Sequence, residues 1–391
     1  MAKRVGAEGS FAVAEAVRLA DTDVVAAYPI TPQTHIVERL SEMVADGELK
    51  ANFIYVESEH SAMSACLGSA AVGARTFTST AGQGLELMHE VLYLASSMRL
   101  PIVMAVADRA LSGPLNVWGD HSDAMATREC GWIQYFGENA QEVFDLTLCA
   151  FKIAEHHDVL FPVMVHMDGF HVSHVVEPYL LPDKEELGDF LPPIDYPYPL
   201  DPNKPITMGA FAPPAVYSEC RKAQDVAVNS THGTIENVWN EFAKRFGRQY
   251  KPIETHKTED AETILVSIGS FNQMAGVAVD KLRSEGKKVG LVRIRLWRPF
   301  PLQAFRQAVK SAKNVVVFER SMTYGGTVGP VCAEVKSALY GIKDAPRIMD
   351  FIGGLGGRDM SPKQFEALFK RAQEIFDKNL DSQYETIGVR E

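Results

Sequence analysis

The sequence predicts an α/β protein built on two parallel sheets, and three observations carry that prediction. From residue 24 to residue 167 short apolar runs alternate with segments of helical spacing, the rhythm of a parallel sheet covered on both faces. A proline-rich break follows, with ten of the 21 prolines between residues 178 and 214, around the run LPPIDYPYPLDPNKP. The strand–helix rhythm resumes at Thr263 and marks a second, smaller α/β unit. The divisions so read are 1–177, an extended connector with two helices at 178–261, and 262–391.

Taken in order, residues 8–20 read as the first helix, with Ser10 as its N-cap. Asp21, Thr22 and Asp23 make a turn, 24–28 a short strand, and 29–32 an exit loop whose two prolines fix φ and hold Thr31 in place. A helix at 33–45, a strand at 52–56, a helix at 58–72 and a strand at 75–79 come next. Helix 85–97, strand 101–107, a long loop to Asp123, helix 140–156 and strand 162–167 close the first series. Polar helices are expected at 216–228 and 234–246. The second series has strands near 263–267, 289–296, 314–318 and 347–351, and helices near 273–284, 302–311, 329–339 and 361–376. The last helix has a strong start signal, since Ser361 can cap with Gln364 while Pro362 takes the first helical position.

Composition bounds the function. The 391 residues are 46% hydrophobic and 23% charged, an ordinary globular balance with room for two or three domains. A formal charge of −11 argues against nucleic acid or an anionic membrane as the main partner. The five cysteines are scattered, without the short spacings of a zinc site or an iron–sulfur cluster. The opening Met1-Ala2-Lys3-Arg4-Val5 carries no apolar leader, and no apolar run approaches the length of a membrane span, so a cytoplasmic location is expected.

The chain is organised around residues 56–84, VESEHSAMSACLGSAAVGARTFTSTAGQG, which join an acidic turn, a helix of small residues, a short strand and a glycine turn. Small residues let backbones approach closely, as a ligand or another chain requires. Glu59 falls in the first turn of the helix, where a carboxylate also simply complements the helix dipole. Arg109 follows an apolar strand; its planar fork suits a carboxylate, and the alternative is an ion pair with Asp108 or Asp120. Asp120, His121 and Asp123 fit a hydrogen-bonded loop better than a metal site, and His60 and His89 fit packing. Gly82-Gln83-Gly84 lacks the third glycine of a dinucleotide fingerprint and the glycines at 353–357 lack its spacing, which disfavours a dinucleotide-dependent dehydrogenase. Thr31, Glu59, residues 80–84 and Arg109 each follow the carboxyl end of a predicted strand, where parallel sheets bind ligands.

The words YPITPQT, VESEHSAM, GARTFT, RLPIVM, RALSGP and DHSDAM, with Trp297-Arg298-Pro299-Phe300-Pro301 further on, stand in the order found in one family. The chain resembles the alpha subunit of the 2-oxoacid:ferredoxin oxidoreductases, of the pyruvate:ferredoxin type, over nearly its whole length. The resemblance implies a pyrimidine-binding thiamine diphosphate domain followed by a transketolase C-terminal-like domain. It implies that Glu59 hydrogen-bonds N1′ of the cofactor's aminopyrimidine, with Pro29, Ile30, Gly82 and Gln83 grouped about the cofactor. It also implies that Arg109 and Thr31 bind the substrate. The small Thr31 hydroxyl leaves room for a substrate side chain and favours a monocarboxylic 2-oxoacid over oxalate.

No glycine-aspartate-glycine followed by asparagine, the thiamine enzymes' Mg²⁺ and diphosphate signature, occurs here. The family pattern therefore assigns diphosphate, Mg²⁺ and a [4Fe–4S] cluster to a beta subunit, with gamma and ferredoxin-like delta subunits completing transfer to ferredoxin and coenzyme A as acyl acceptor. The small-residue surface at 61–74 and the turn at 82–84 suit such a chain's approach. Two alternatives stay open: a branched-chain or aromatic 2-oxoacid (2-oxoisovalerate, phenylglyoxylate), and a non-catalytic assembly subunit, which remote positions of Glu59 and Arg109 would favour.

Overall fold

The computed structural model describes residues 2–380 and 382–390; Met1, Asp381 and Glu391, which belong to the readings of the opening segment and the C-terminal unit, lie outside them. The chain opens with β1 (Lys3–Glu8) and runs directly into α1 (Gly9–Leu19). Then come β2 (Val24–Ala27), α2 (Thr34–Ala45), β3 (Asn52–Tyr55), α3 (Glu59–Ala71), β4 (Thr76–Thr80), and two short helices, α4 (Gly82–Leu87) and α5 (His89–Ser97). β5 (Ile102–Asp108), α6 (Ser122–Ala126), β6 (Ile133–Gly137), α7 (Ala140–Glu155) and β7 (Val163–Asp168) complete the first series. β8 (Val176–Leu181) returns to pair antiparallel with β1. α8 (Lys184–Leu187), α9 (Pro214–Asn229) and α10 (His232–Phe246) lead to β9 (Ile253–His256). The second series runs β10 (Thr263–Ser267), α11 (Asn272–Ser284), β11 (Val289–Ile294), β12 (Leu296–Arg298), α12 (Leu302–Ala308), β13 (Asn314–Glu319), α13 (Pro330–Leu339), β14 (Arg347–Ile352), α14 (Pro362–Lys378) and β15 (Tyr384–Thr386).

The larger sheet has the order β12-β6-β7-β5-β4-β2-β3, parallel from β6 to β3. β3 lies on one side of the first parallel strand, β2, and β4 on the other, so the winding reverses between β2 and β4. The carboxyl ends of these two strands bound the crevice in which an open parallel sheet binds its ligand. The smaller sheet has the order β15-β14-β13-β10-β11-β9, with only β9 antiparallel to its neighbour. Apolar clusters cover both faces of each sheet, and one of them packs Ala124, Met125 and Phe136 against Ile294 and Trp297 across the junction.

Several expectations need correction. Ser10 is not the N-cap: it is buried inside the first turn of α1, while the N–H groups of Gly9 and Ser10 donate to the carbonyls of Val172 and Ser173, both at 3.2 Å. A neighbouring loop therefore satisfies the donors that a cap side chain would otherwise take. The strand expected at 289–296 ends at Ile294, and β12 crosses to pair antiparallel with β6 of the larger sheet, Leu296 opposite Tyr135. β6 itself, IQYFG, was invisible as a strand because a five-residue run containing Gln134 and Gly137 carries no clear period. The helix expected at 85–97 starts earlier and breaks at Met88. β9, inside the span read as connector, is the edge strand of the smaller sheet. The capping of α14 is as expected, with the Gln364 side chain accepting the Ser361 N–H at 2.9 Å.

Polar groups fasten the two sheets together at Glu138, which accepts from Asn272 Nδ2 at 2.9 Å and Arg293 Nη1 at 3.4 Å. Burial, with the Glu142 carboxylate nearby, pushes the Glu138 carboxyl up to about 8. The folded protein thus holds this proton more tightly than the unfolded chain, and the stability tied to it is lost as pH rises from about 4.5 through 8. Glu138→Gln should flatten that slope, so its melting temperature relative to the parent's should climb across the same window, as scanning calorimetry at stepped pH would report.

Candidate active site

Glu59 leaves β3 as the first residue of α3, behind an N-cap in which the Ser58 hydroxyl accepts the Ser61 N–H at 3.2 Å. It is 6% exposed. Across from it lies the turn that opens α4. A Cβ on Gly84 would stand 2.6 Å from Glu59 Oε1 and 2.5 Å from Thr80 Oγ1, so the bare backbone of the turn rests on the carboxyl. The Thr80 hydroxyl, which faces Gly84 with Glu59, and Gln83 Oε1 of the same turn are buried without protein partners, which leaves hydrogen-bonding capacity unspent at the turn.

The loop after β2 carries Thr31. Gln33, fully buried, holds this loop to the end of β4: its Nε2 donates to the Ser79 carbonyl at 2.8 Å and to Ser79 Oγ at 2.6 Å, while its Oε1 accepts the Ile30 N–H at 3.2 Å. Thr31 is exposed, and its carbonyl accepts from Arg109 Nη1 at 3.0 Å. Pro29 lines an open groove of about 480 Å³ with Ala27, Val37, Phe53 and Tyr55.

Arg109, also 6% exposed, follows β5. Its Nε donates to the Asn116 carbonyl at 2.9 Å, and its backbone N–H donates to Asp123 Oδ2 at 2.9 Å. The same oxygen accepts the Gly82 N–H at 2.8 Å. Gly82 has φ +49°, and a Cβ there would stand 2.9 Å from Arg109 Cδ, so the arginine stem lies on the glycine turn. Glu59 and Arg109 therefore flank one turn, 82–84, from opposite ends. The ion pair weighed for Arg109 is not formed. Asp108 pairs with His166 Nδ1 at 2.7 Å, and Asp120 accepts the Ser122 N–H at 3.0 Å and the Gly356 N–H at 3.0 Å. Burial lowers the Arg109 pKa from its usual value, the direction expected of a desolvated cation.

The loop between Arg109 and Asp123 is held from the smaller sheet. Arg320, at the end of β13, reaches Asp168 and the Gly119 carbonyl, and its own carbonyl accepts the His121 N–H at 2.9 Å. His121 Nε2 lies 2.8 Å from Asp168 Oδ1, and the Ser270 N–H donates to Asp168 Oδ2 at 2.6 Å. Burial opposes ionisation of Asp168, but Arg320 and His121 overcome it and hold this carboxyl well below its usual range. The Asn116 side chain donates to the Gly356 carbonyl at 3.2 Å. Asp120, His121 and Asp123 are thus a structural loop network, and among the described residues no group of His, Cys, Asp or Glu suits a metal ion. Sequence reasoning had grouped residues 80–84 with Thr31, Glu59 and Arg109 but had missed Gln33, Asp168 and Arg320 as parts of this site; Gln33 stood within a word already singled out, YPITPQT.

Two family models cover most of the chain: pyruvate flavodoxin/ferredoxin oxidoreductase, thiamine diphosphate-binding, over residues 15–240, and pyruvate:ferredoxin oxidoreductase core domain II over residues 261–365. The chain belongs to the pyruvate:ferredoxin oxidoreductase family. It is 47% identical over 375 residues to the pyruvate synthase subunit PorA of Methanocaldococcus jannaschii, covering 94% of this chain and 95% of that one. With the PorA subunit of Thermotoga maritima it is 45% identical over 390 residues, covering 100% and 99%. A ketoisovalerate oxidoreductase subunit VorA of Pyrococcus horikoshii is 42% identical, with 96% of each chain covered. In fold the chain is similar to the 2-oxoglutarate:ferredoxin oxidoreductase from Magnetococcus marinus, with a TM-score of 0.75 at 21% identity over 94% of this chain and 65% of that one. A split-gene transketolase matches at a TM-score of 0.56 and 13% identity, over 95% and 99%.

Because Gly84 has no room for a side chain, Gly84→Ala should displace the turn from Glu59 and cost about 1–3 kcal/mol of stability, as overpacking does. Denaturant unfolding of this variant beside the parent measures that cost.

Proposed function

We propose that this member of the family is the alpha subunit of a thiamine diphosphate-dependent 2-oxoacid:ferredoxin oxidoreductase, which decarboxylates pyruvate oxidatively to acetyl-CoA and passes the electrons to ferredoxin. The observation that carries the reading is the state of Arg109. Three other arginines are as deeply buried, and each is neutralised: Arg75 by Glu155 at 2.6 Å, Arg295 by Glu142 at 2.6 Å, and Arg320 by Asp168. Among the described residues no carboxylate pairs with the Arg109 guanidinium, whose Nε and Nη1 are steered by carbonyls alone. A fixed, desolvated cation at a strand-end crevice is suited to an anionic substrate, and a 2-oxoacid carboxylate matches its fork.

The residues opposite fit the pyrimidine half of thiamine diphosphate: a buried carboxyl, unpartnered polar atoms at Thr80 and Gln83, and a glycine turn too close for any Cβ. When bound, that cofactor supplies the electron sink for loss of carbon dioxide. Glu59 would hold the aminopyrimidine by a hydrogen bond at N1′, with Gly82, Gln83, Pro29 and Ile30 as the residues that would contact it, and Gln33 keeps the Thr31 loop in register with the turn. Arg109 and Thr31 hold the substrate. That Glu59 and Arg109 share one turn disfavours a purely scaffolding subunit.

Diphosphate, Mg²⁺ and a [4Fe–4S] cluster belong, in this reading, to a beta subunit, with gamma and ferredoxin-like delta subunits, ferredoxin and coenzyme A completing the reaction in the cytoplasm. Support comes from the relatives, which are themselves named as subunits, and from α3, whose outward residues Ser64 and Gly68 are exposed and small enough for close approach. No helix among the described residues is long and apolar enough to cross a membrane. Similarity to the ketoisovalerate enzyme subunit keeps a branched-chain 2-oxoacid as the second reading.

Turnover of the assembled complex on a panel of 2-oxoacids tests the substrate, with the highest kcat/KM expected for pyruvate; a higher value for 2-oxoisovalerate or phenylglyoxylate would replace it. On the preferred substrate, Glu59→Gln should lower kcat by about 10²–10⁴-fold while the complex stays folded. Arg109→Lys keeps the charge but loses the fork, and should raise KM about tenfold or more with little change in cofactor affinity. Steady-state kinetics paired with thiamine diphosphate titration separates the two effects.

A further inference from the structure

Asp123 is fully buried in the first turn of α6, and it lies between the two halves of the site. One of its oxygens, Oδ2, accepts both the Gly82 N–H and the Arg109 N–H, while Oδ1 accepts the Ala124 N–H at 2.8 Å. These bonds join segments far apart in sequence, the turn after β4 and the exit of β5. On the far side of each bond stands a reacting element: Gly84, two residues beyond Gly82, rests on the Glu59 carboxyl, and the Arg109 side chain crosses Gly82 to reach the Thr31 carbonyl.

We propose that Asp123 is a positioning residue that makes the glycine turn and Arg109 one mechanical unit, so that the cofactor-side carboxyl and the substrate-side guanidinium are set at a single distance by one carboxylate oxygen. This rests on the functional reading above for what the two ends hold. An amide N–H has one good direction for its acceptor, and an acceptor shared by two such donors removes the freedom of either strand end to move without the other. Displacement of the Arg109 backbone at the exit of β5 then drags the turn off Glu59, and loosening of the turn frees that backbone. The coupling needs no contact between Asp123 and the substrate, and no titration.

The test uses the full chain in its assembled complex. In Asp123→Ala both N–H groups lose their acceptor; Asp123→Asn keeps one carbonyl oxygen, and serves should the alanine variant fail to assemble. Hydrogen–deuterium exchange resolved by peptide should show faster exchange at residues 80–84 and 108–110 together, with the rest of the larger sheet unchanged. In kinetics, kcat/KM for the preferred 2-oxoacid should fall by about 10- to 100-fold for the alanine variant, the size of leaving a buried N–H donor without its acceptor, and less for asparagine. In an Arg109→Lys background the further loss should shrink, because the residue through which Asp123 acts is already changed. Faster exchange at one segment alone, or an undiminished loss in the Arg109→Lys background, would overturn the coupling. A parent complex inactive on every 2-oxoacid would overturn the functional reading instead, and the exchange pattern would still decide the clamp.

Discussion

The buried ion pair between Arg320 and Asp168 is the interaction on which the rest of the site depends. Asp168 ends β7 of the larger sheet and Arg320 follows β13 of the smaller one, so the pair joins the carboxyl ends of two sheets that have separate cores. Both side chains are almost wholly removed from water. Taking one partner away would leave the other charged in an apolar setting, at a cost of about 3–5 kcal/mol. Charge pairs of this kind add little net stability when complete, but they tolerate only one arrangement. Here that arrangement carries His121, Gly119 and the Ser270 N–H with it, and so determines where the loop from Arg109 to Asp123 runs.

The same economy of charge separates structure from function along the chain. Arg75, Arg295 and Arg320 are buried and answered by carboxylates. Asp108 and His166 are buried against each other; burial raises the first well above its usual range and lowers the second to about 3, so both are favoured neutral. Against this background of compensated groups, Arg109 holds a charge that the chain itself does not answer. Among these buried arginines it is the one whose guanidinium no carboxylate of the described residues answers, and the proposed substrate contact rests on that difference.

Backbone proximity does comparable work on the other side. Gly82 and Gly84 are glycines for different reasons. The first adopts φ +49° beneath the Arg109 stem, and the second has ordinary dihedrals but no space for a methyl group between Thr80 and Glu59. A turn held this closely lets one short helix, α4, touch both the Glu59 carboxyl and the Arg109 stem, and the clamp proposed for Asp123 rests on that closeness.

Much of this protein was legible in its residues. Alternating apolar runs and helical spacings specify parallel strands and covering helices because hydrophobic burial acts locally and repeats with the period of each element. Strand ends in a parallel sheet share one edge, so Thr31, Glu59, the 82–84 turn and Arg109 could be expected together. Whole words such as VESEHSAM and YPITPQT carried the family. What tertiary structure alone decided are the relations that depend on direction and partner. β12 left its own series for the larger sheet, Ser10 yielded its capping role to the carbonyls of Val172 and Ser173, and Arg109 declined both nearby aspartates. Gln33 and Asp123 acquired their roles from backbone groups dozens of residues away or across a loop. The physical reason is that a hydrogen bond or ion pair is written in the sequence only as a capacity to donate or accept. Which capacity is spent, and on what, is settled when packing has chosen the neighbours.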